Sequence, residues 1–232
     1  MSLTTEVAAA LARLVAPRAD PAAAAWFESA WADVDAAARR ERFWTVFAGA
    51  GRRLGRAPVA TSDVEADLLK KAGLAPVPTD LGLDECGRGA LLLKALGPLG
   101  ESDRLVLAAE VYHRGEVRER QALLRVLAYL PRPEGFCSLA IEACRTSVES
   151  VFEAMACDNP YPAAHFPESS FNQMVLKAVF TGAPLGRVFG LRGRVTPDLV
   201  RMAQDYVAER KAAGRAVPAD VDLILSTAPR SA

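Results

Sequence analysis

The feature that most constrains this chain is a repeated alternation. Apolar residues recur at helical spacing for 12 to 15 residues, and then proline or glycine breaks the pattern. Leu91, Leu92, Ala95 and Leu96 make one apolar face. Leu105, Val106, Ala109 and Tyr112 make the next, and Leu123, Leu124, Leu127 and Leu130 a third. Gly97-Pro98, Gly115 and Pro131-Arg132-Pro133 separate them. No segment alternates apolar and polar residues as a half-buried strand would. The expectation is an all-α fold, a multi-helix array of paired antiparallel helices. It is either a HEAT- or armadillo-like stack or a compact bundle.

The breaks place the elements. Thr4 or Thr5 is the expected cap of a first helix over 5–15, which Pro17 ends. Asp20-Pro21 reads as a cap and a first-turn proline for a helix over 21–33. A helix over 34–53 follows. All three tryptophans, Trp26, Trp31 and Trp44, fall in these two helices, and burial makes them candidate core. An apolar ligand or partner surface is the alternative. The run Gly49 to Gly55 carries glycines and arginines, but it follows a helix and lacks the Gly-Lys-Ser/Thr ending of a phosphate loop. Ser62 or Asp63 starts a helix through 72. Further helices are expected over 84–96, 101–113, 116–130, 134–146, 148–156, 197–213 and 218–226, with a disordered polar tail over 227–232. The chain reads as one helical domain, 1–232. The proline-containing segment 75–82 is the best internal boundary, dividing an N-terminal helical subdomain 1–74 from a C-terminal helical part 84–226.

Composition excludes several classes. Twenty-eight basic residues balance 28 acidic ones, so no net field draws the chain to nucleic acid. The four cysteines form no C-x-x-C pair and the two histidines lie far apart, so neither a metal nor a cofactor is expected. Cys137, Cys144 and Cys157 read as small buried hydrophobes. His113 sits where a helix should end, the position that favours a cation. No apolar run reaches the roughly 20 residues that span a bilayer. The expectation is a cytoplasmic protein without direct membrane insertion.

The stretch Cys157 to Leu191 is unlike the rest. Pro160, Pro162 and Pro167 predict an irregular loop over 158–166, and Gly182 and Pro184 stop the apolar helix that follows. At about 100° per residue, Phe171, Met174, Val175, Ala178 and Val179 share one face, with Gln173 and Lys177 opposite. Glu168 and Asn172 fall on the edge of the apolar face, where unsatisfied burial costs about 1–3 kcal/mol each. Two readings follow. In the first, these groups only pin the loop to the helix. In the second, Asn159, Tyr161, His165, Glu168 and Asn172 line a ligand or partner site, with Arg145 in support. A His165/Glu168/Asn172 enzyme site is the runner-up, since histidine beside a carboxylate can act as a general base. No nucleophile is placed beside them in sequence.

The run C-D-N-P-Y-P-x-x-x-F-P-E-x-x-F-N-Q-M-V-L-K-A over 157–178 resembles the signature of the EboA family of metabolite-traffic proteins. E-A-C-R-T at 142–146, F-E-A-M-A at 152–156 and A-P-L-x-R-V-F-G-L at 183–191 fit it too. The resemblance covers about 141–215. Ser147 stands where the family pattern has Asn, and Asp158 where it more often has Glu. The resemblance implies a role in moving secondary-metabolite precursors, in bacterial clusters that also encode a prenyltransferase-like membrane protein. It implies no reaction. An aromatic-rich helical domain suits a hydrophobic or aromatic small metabolite as partner, or equally a groove for that membrane protein.

Overall fold

Capping side chains decide where many of the helices begin. Asp20 accepts hydrogen bonds from the Ala22 and Ala23 amides at 2.9 and 2.8 Å, with Pro21 in the first turn. Ser62 and Glu65 form a reciprocal capping box. Thr196 accepts from the Leu199 amide at 3.2 Å. The first cap is Ser2 rather than Thr4 or Thr5. Thr4 is buried, and its hydroxyl donates to the Tyr129 carbonyl at 2.7 Å.

The computed structural model describes residues 2–35, 40–78 and 80–226. Among them the α-helices are α1 (Leu3–Val15), α2 (Pro21–Asp33), α3 (Arg40–Leu54), α4 (Asp63–Lys71), α5 (Leu83–Leu96), α6 (Glu101–Arg114) and α7 (Val117–Val126). Then come α8 (Cys137–Cys144), α9 (Glu149–Ala156), α10 (Tyr161–His165), α11 (Glu168–Thr181), α12 (Leu191–Arg194), α13 (Pro197–Ala212) and α14 (Asp222–Leu225). The described residues contain no strand; one isolated bridge joins Pro58 and Gly82. The fold is all-α. The helix expected from 34 does not start there: Val34 is the extended C-cap of α2 and α3 is described from Arg40, while 36–39 and the polar tail 227–232 lie outside the described residues.

The chain forms two compact units, Met1–Leu139 and Ala140–Ala232. Segment 75–82 therefore lies inside the first unit. Its end is tied in by backbone bonds: the Val59 amide donates to the Leu81 carbonyl at 2.8 Å, and just beyond the segment the Leu83 amide donates to the Ala57 carbonyl at 2.9 Å. Prolines made it look like a linker, but hydrogen bonds outside its own sequence hold it.

The first unit is built around α5. Helices α1, α2, α3, α6 and α7 all pack against it, and every α5 residue except Lys94 is buried. Phe27, Phe43 and Phe47 fill the core beside it, with Phe43 stacked on Phe47 at 5.4 Å. The three tryptophans expected in the core are half-buried instead. A tryptophan carries an N–H that full burial would have to satisfy, while phenylalanine, without a polar atom, takes the dry positions.

A buried ionic cluster crosses this core. Asp84, fully buried, accepts from Arg88 at 2.6 Å and from both the Nε, at 3.2 Å, and the Nη2 of Arg118. Glu85 pairs with Arg118 at 3.1 Å and with Arg125 at 3.2 Å. Arg125 reaches Asp80 at 2.7 Å, and Arg88 lies 3.9 Å from Glu119. Gly51 makes the room. A Cβ there would stand 2.7 Å from an Arg88 guanidinium nitrogen, so a larger residue at this position would push the guanidinium from its place. Buried Arg104 caps the other end of α5, donating to the Leu96 carbonyl at 3.1 Å and to that of Leu99.

Candidate functional site

The second unit contains the whole 157–191 stretch, and cations organise it. Asp158 adopts a left-handed conformation, φ 48°, unusual for a residue with a side chain. Its amide donates to the Arg187 carbonyl at 2.8 Å, and the Arg187 Nε donates back to its carboxylate at 2.8 Å. Arg194 donates to the carbonyls of Ala163 and Phe166 at 2.7 and 2.9 Å, and its guanidinium lies 4.6 Å from the Phe171 ring centroid. Lys177 donates to the carbonyls of Cys144, at 2.7 Å, and Thr146, and stands over the Phe152 ring at 4.6 Å. Each cation fastens a segment of backbone that no regular ladder could satisfy.

Lys177 corrects the helical-wheel reading, which turned it to water. Its long stem lets the ammonium return over the face and close the C-terminal carbonyls of α8. The segment 158–166 also differs from the expected loop: residues 161–165 form α10. Proline is compatible with a first turn, and Asn159 supplies the missing cap by accepting the Tyr161 amide at 3.0 Å. The Asn159 amide group donates to the Ala154 carbonyl at 2.9 Å.

The candidate residues then separate. Asn159 and Tyr161 are buried in the scaffold. His165 is half-buried, its ring 4.7 Å from that of Tyr161. Asn172 is buried and donates to Thr196 at 3.1 Å, bonding α11 to the cap of α13; its Oδ1 finds no partner among the described residues. Glu168 is exposed in the first turn of α11, not held at the edge of the apolar face. At a helix start the side chain has no further turn to pack against, and the helix N-terminus favours a carboxylate in water there. His165 and Glu168 do not pair.

What lies open beside the stretch is a cleft of about 300 Å³ between the end of α8 and the outer face of α11. Ile141, Phe166 and Met174 give it apolar walls; Arg145, Ser170 and Gln173 give it polar ones. Arg145 is exposed and pairs with no carboxylate among the described residues, Glu142 included. Cys144 also lines the cleft, but burial pushes its thiol up to about 12, with nearby Lys177 pulling the other way. A thiol so held stays protonated and is a poor nucleophile.

Over residues 7–225 the chain matches the family described as Metabolite traffic protein EboA. It belongs to the EboA family. The match extends well beyond the 141–215 over which the signature is legible by eye, and takes in both units. Its general role is metabolite traffic. No curated protein and no solved structure matched the chain. For an EboA chain the signature now has a physical content: its charged and amide residues fasten backbone segments, and beside them Arg145 and Phe166 line a cleft. Arg187, Arg194 and Lys177 escaped sequence reasoning. The available signal was their position among apolar residues, in R-V-F-G-L-R-G-R and M-V-L-K-A-V.

Proposed function

We propose that this protein serves metabolite traffic without catalysing a reaction, by holding a small metabolite in the Arg145–Phe166 cleft. The observation that carries the reading is the cleft itself. It has apolar walls, one unpaired guanidinium among its lining residues, and backbone beside it held by Lys177 and Arg194. Its volume is near the lower end of the about 300–1,000 Å³ usual for small-molecule sites. An apolar body bearing one acidic group suits it, because arginine binds a carboxylate through two parallel bonds. The enzyme alternative loses support. His165 and Glu168 do not meet, the Cys144 thiol is protonated, and the Lys177 ammonium is spent on carbonyls. Cytoplasmic residence and handover to a membrane-protein partner belong to the same proposal. Among the described residues, no helix is long and apolar enough to cross a membrane.

Native mass spectrometry of protein purified from its own host tests it, followed by denaturing release of whatever is bound. A stoichiometric small molecule should appear. It should be absent from Ser170→Trp, which fills the cleft from its rim, and reduced in Arg145→Ala. A molecule retained undiminished by both variants would place the binding elsewhere and end this reading.

A further inference from the structure

The first unit has a cleft of its own, about 400 Å³, between the start of α1, the end of α2 and the end of α5. Thr5 and Ala8 face it from α1, Trp31 from α2, and Leu93, Lys94 and Pro98 from α5 and the turn beyond. Lys94 is the unusual member. Its thirteen companions in α5 are all buried, so it is a cation set into the most central helix of the unit.

The partners of Lys94 are uncharged. Its ammonium donates to the Trp31 carbonyl and stands 4.6 Å from the Trp31 ring centroid. No carboxylate pairs with it among the described residues, whereas the three arginines of the buried cluster in the same unit each have one. Burial lowers its pKa, which marks a charge short of compensation. The carbonyl takes one of three ammonium protons and leaves two. The Trp31 carbonyl belongs to the last turn of α2, so a purely structural Lys94 would be a helix cap and nothing more. A cap alone does not require an open cleft with apolar walls beside the ammonium.

We infer that this cleft binds a small monocarboxylate with a flat apolar body, its carboxylate on Lys94 and its body between Ala8, Leu93 and Pro98 beside the Trp31 indole. One ammonium neutralises one charge; a dianion would bring a second charge into the cleft without a partner. The hydroxyls of Ser2 and Thr5, bonded to each other at 2.9 Å, offer weaker polar contacts at the mouth. The site lies in the other unit from the Arg145 cleft and stands whether or not that cleft is filled.

Isothermal titration with 2-naphthoate and with its neutral analogue 2-naphthalenemethanol tests this on the full chain. The acid should bind, and about tenfold or more tightly than the alcohol. Lys94→Met should abolish that preference and Lys94→Arg should keep it. Thr5→Trp, an exposed substitution that fills the mouth, should remove binding of both compounds. Ser170→Trp, in the second unit, should change nothing. The inference is overturned if the acid shows no binding at about 1 mM, if acid and alcohol bind alike, or if Lys94→Met retains the preference. Should Lys94→Met fail to fold, as its tryptophan fluorescence would reveal, Lys94→Arg and Thr5→Trp still decide between ligand site and cap.

Discussion

Replacing Asp84 by asparagine removes one charge from the buried cluster and almost no volume. The carboxylate is fully buried and receives Arg88 at 2.6 Å and two nitrogens of Arg118. Asparagine leaves Arg88, itself buried, with Glu119 at 3.9 Å as its nearest acid. It also turns an amide donor towards guanidinium donors. Because the swap is isosteric, no cavity term enters, and the loss is that of breaking a buried pair, about 3–5 kcal/mol. Against a typical total of about 5–15 kcal/mol this is severe. All three tryptophans lie in the first unit, so their fluorescence in urea follows that unit alone. With m near 1–3 kcal/mol/M, the midpoint should fall by about 1 M or more. Asp67→Asn is the control. Its pair with Lys70, at 3.8 Å, has both side chains about two-thirds exposed, and should move the midpoint little. Equal shifts for the two variants would refute the claim that burial makes the Asp84 cluster matter.

Three further outcomes are expected. The hydrogen bond from Arg18, with the backbone and hydroxyl of Ser62, holds the Glu65 carboxyl down to about 2. The pair therefore stabilises fully above the unfolded value of about 4.3, and that contribution fades as pH falls towards about 2. Thermal melts of the protein and Glu65→Gln should differ at neutral pH and converge in acid; a gap that persists at the lowest pH would contradict this. Burial pushes the Cys86 and Cys144 thiols up to about 12 and leaves Cys157 without solvent contact, while Cys137 is only half-buried. Iodoacetamide followed by peptide mass spectrometry should modify Cys137 first, and early labelling of Cys144 would undo the argument against a nucleophile. Asn159→Ala leaves the Ala154 carbonyl and the Tyr161 amide unsatisfied and should cost about 1–3 kcal/mol. Faster hydrogen exchange confined to 154–166 is the readout, and unchanged exchange there would deny Asn159 its capping role.

The helices were legible because their signals are local. Asp20-Pro21, Ser62 with Glu65, and Thr196-Pro197 name their own helix starts, and left-handed Gly182 ends α11 as expected, φ 79°. The cap at Ser2 was missed because Thr4 is drawn into a distant bond with Tyr129, which no neighbouring residue announces. Segment 75–82 was misread for the same reason: prolines are visible in sequence, but the bonds from 57–59 that hold it are not. At the candidate site, sequence reasoning read Asn172 as an amide needing a partner and Glu168 as its companion; Asn172 is buried and bonded, Glu168 is in water, and the capping role of Asn159 was not foreseen. Ala154 is close to Asn159 in the chain, whereas Thr196 lies 24 residues beyond Asn172.

The amino-acid sequence by itself determined the all-α class, most helix boundaries and the family to which the chain belongs, since caps, breakers, periodicity and a signature all act over a few residues. Only the tertiary structure decided which charges are buried. Asp84, Glu85 and Arg88 look like an ordinary polar helix start until Arg118 and Arg125 arrive from α7, 30 to 40 residues away. Lys177 looks solvated until it closes α8, and Lys94 looks like a surface lysine until five helices bury the rest of α5. A charge is defined by its surroundings, because burial makes it costly and a partner makes it tolerable. Those surroundings come from residues far away in the chain.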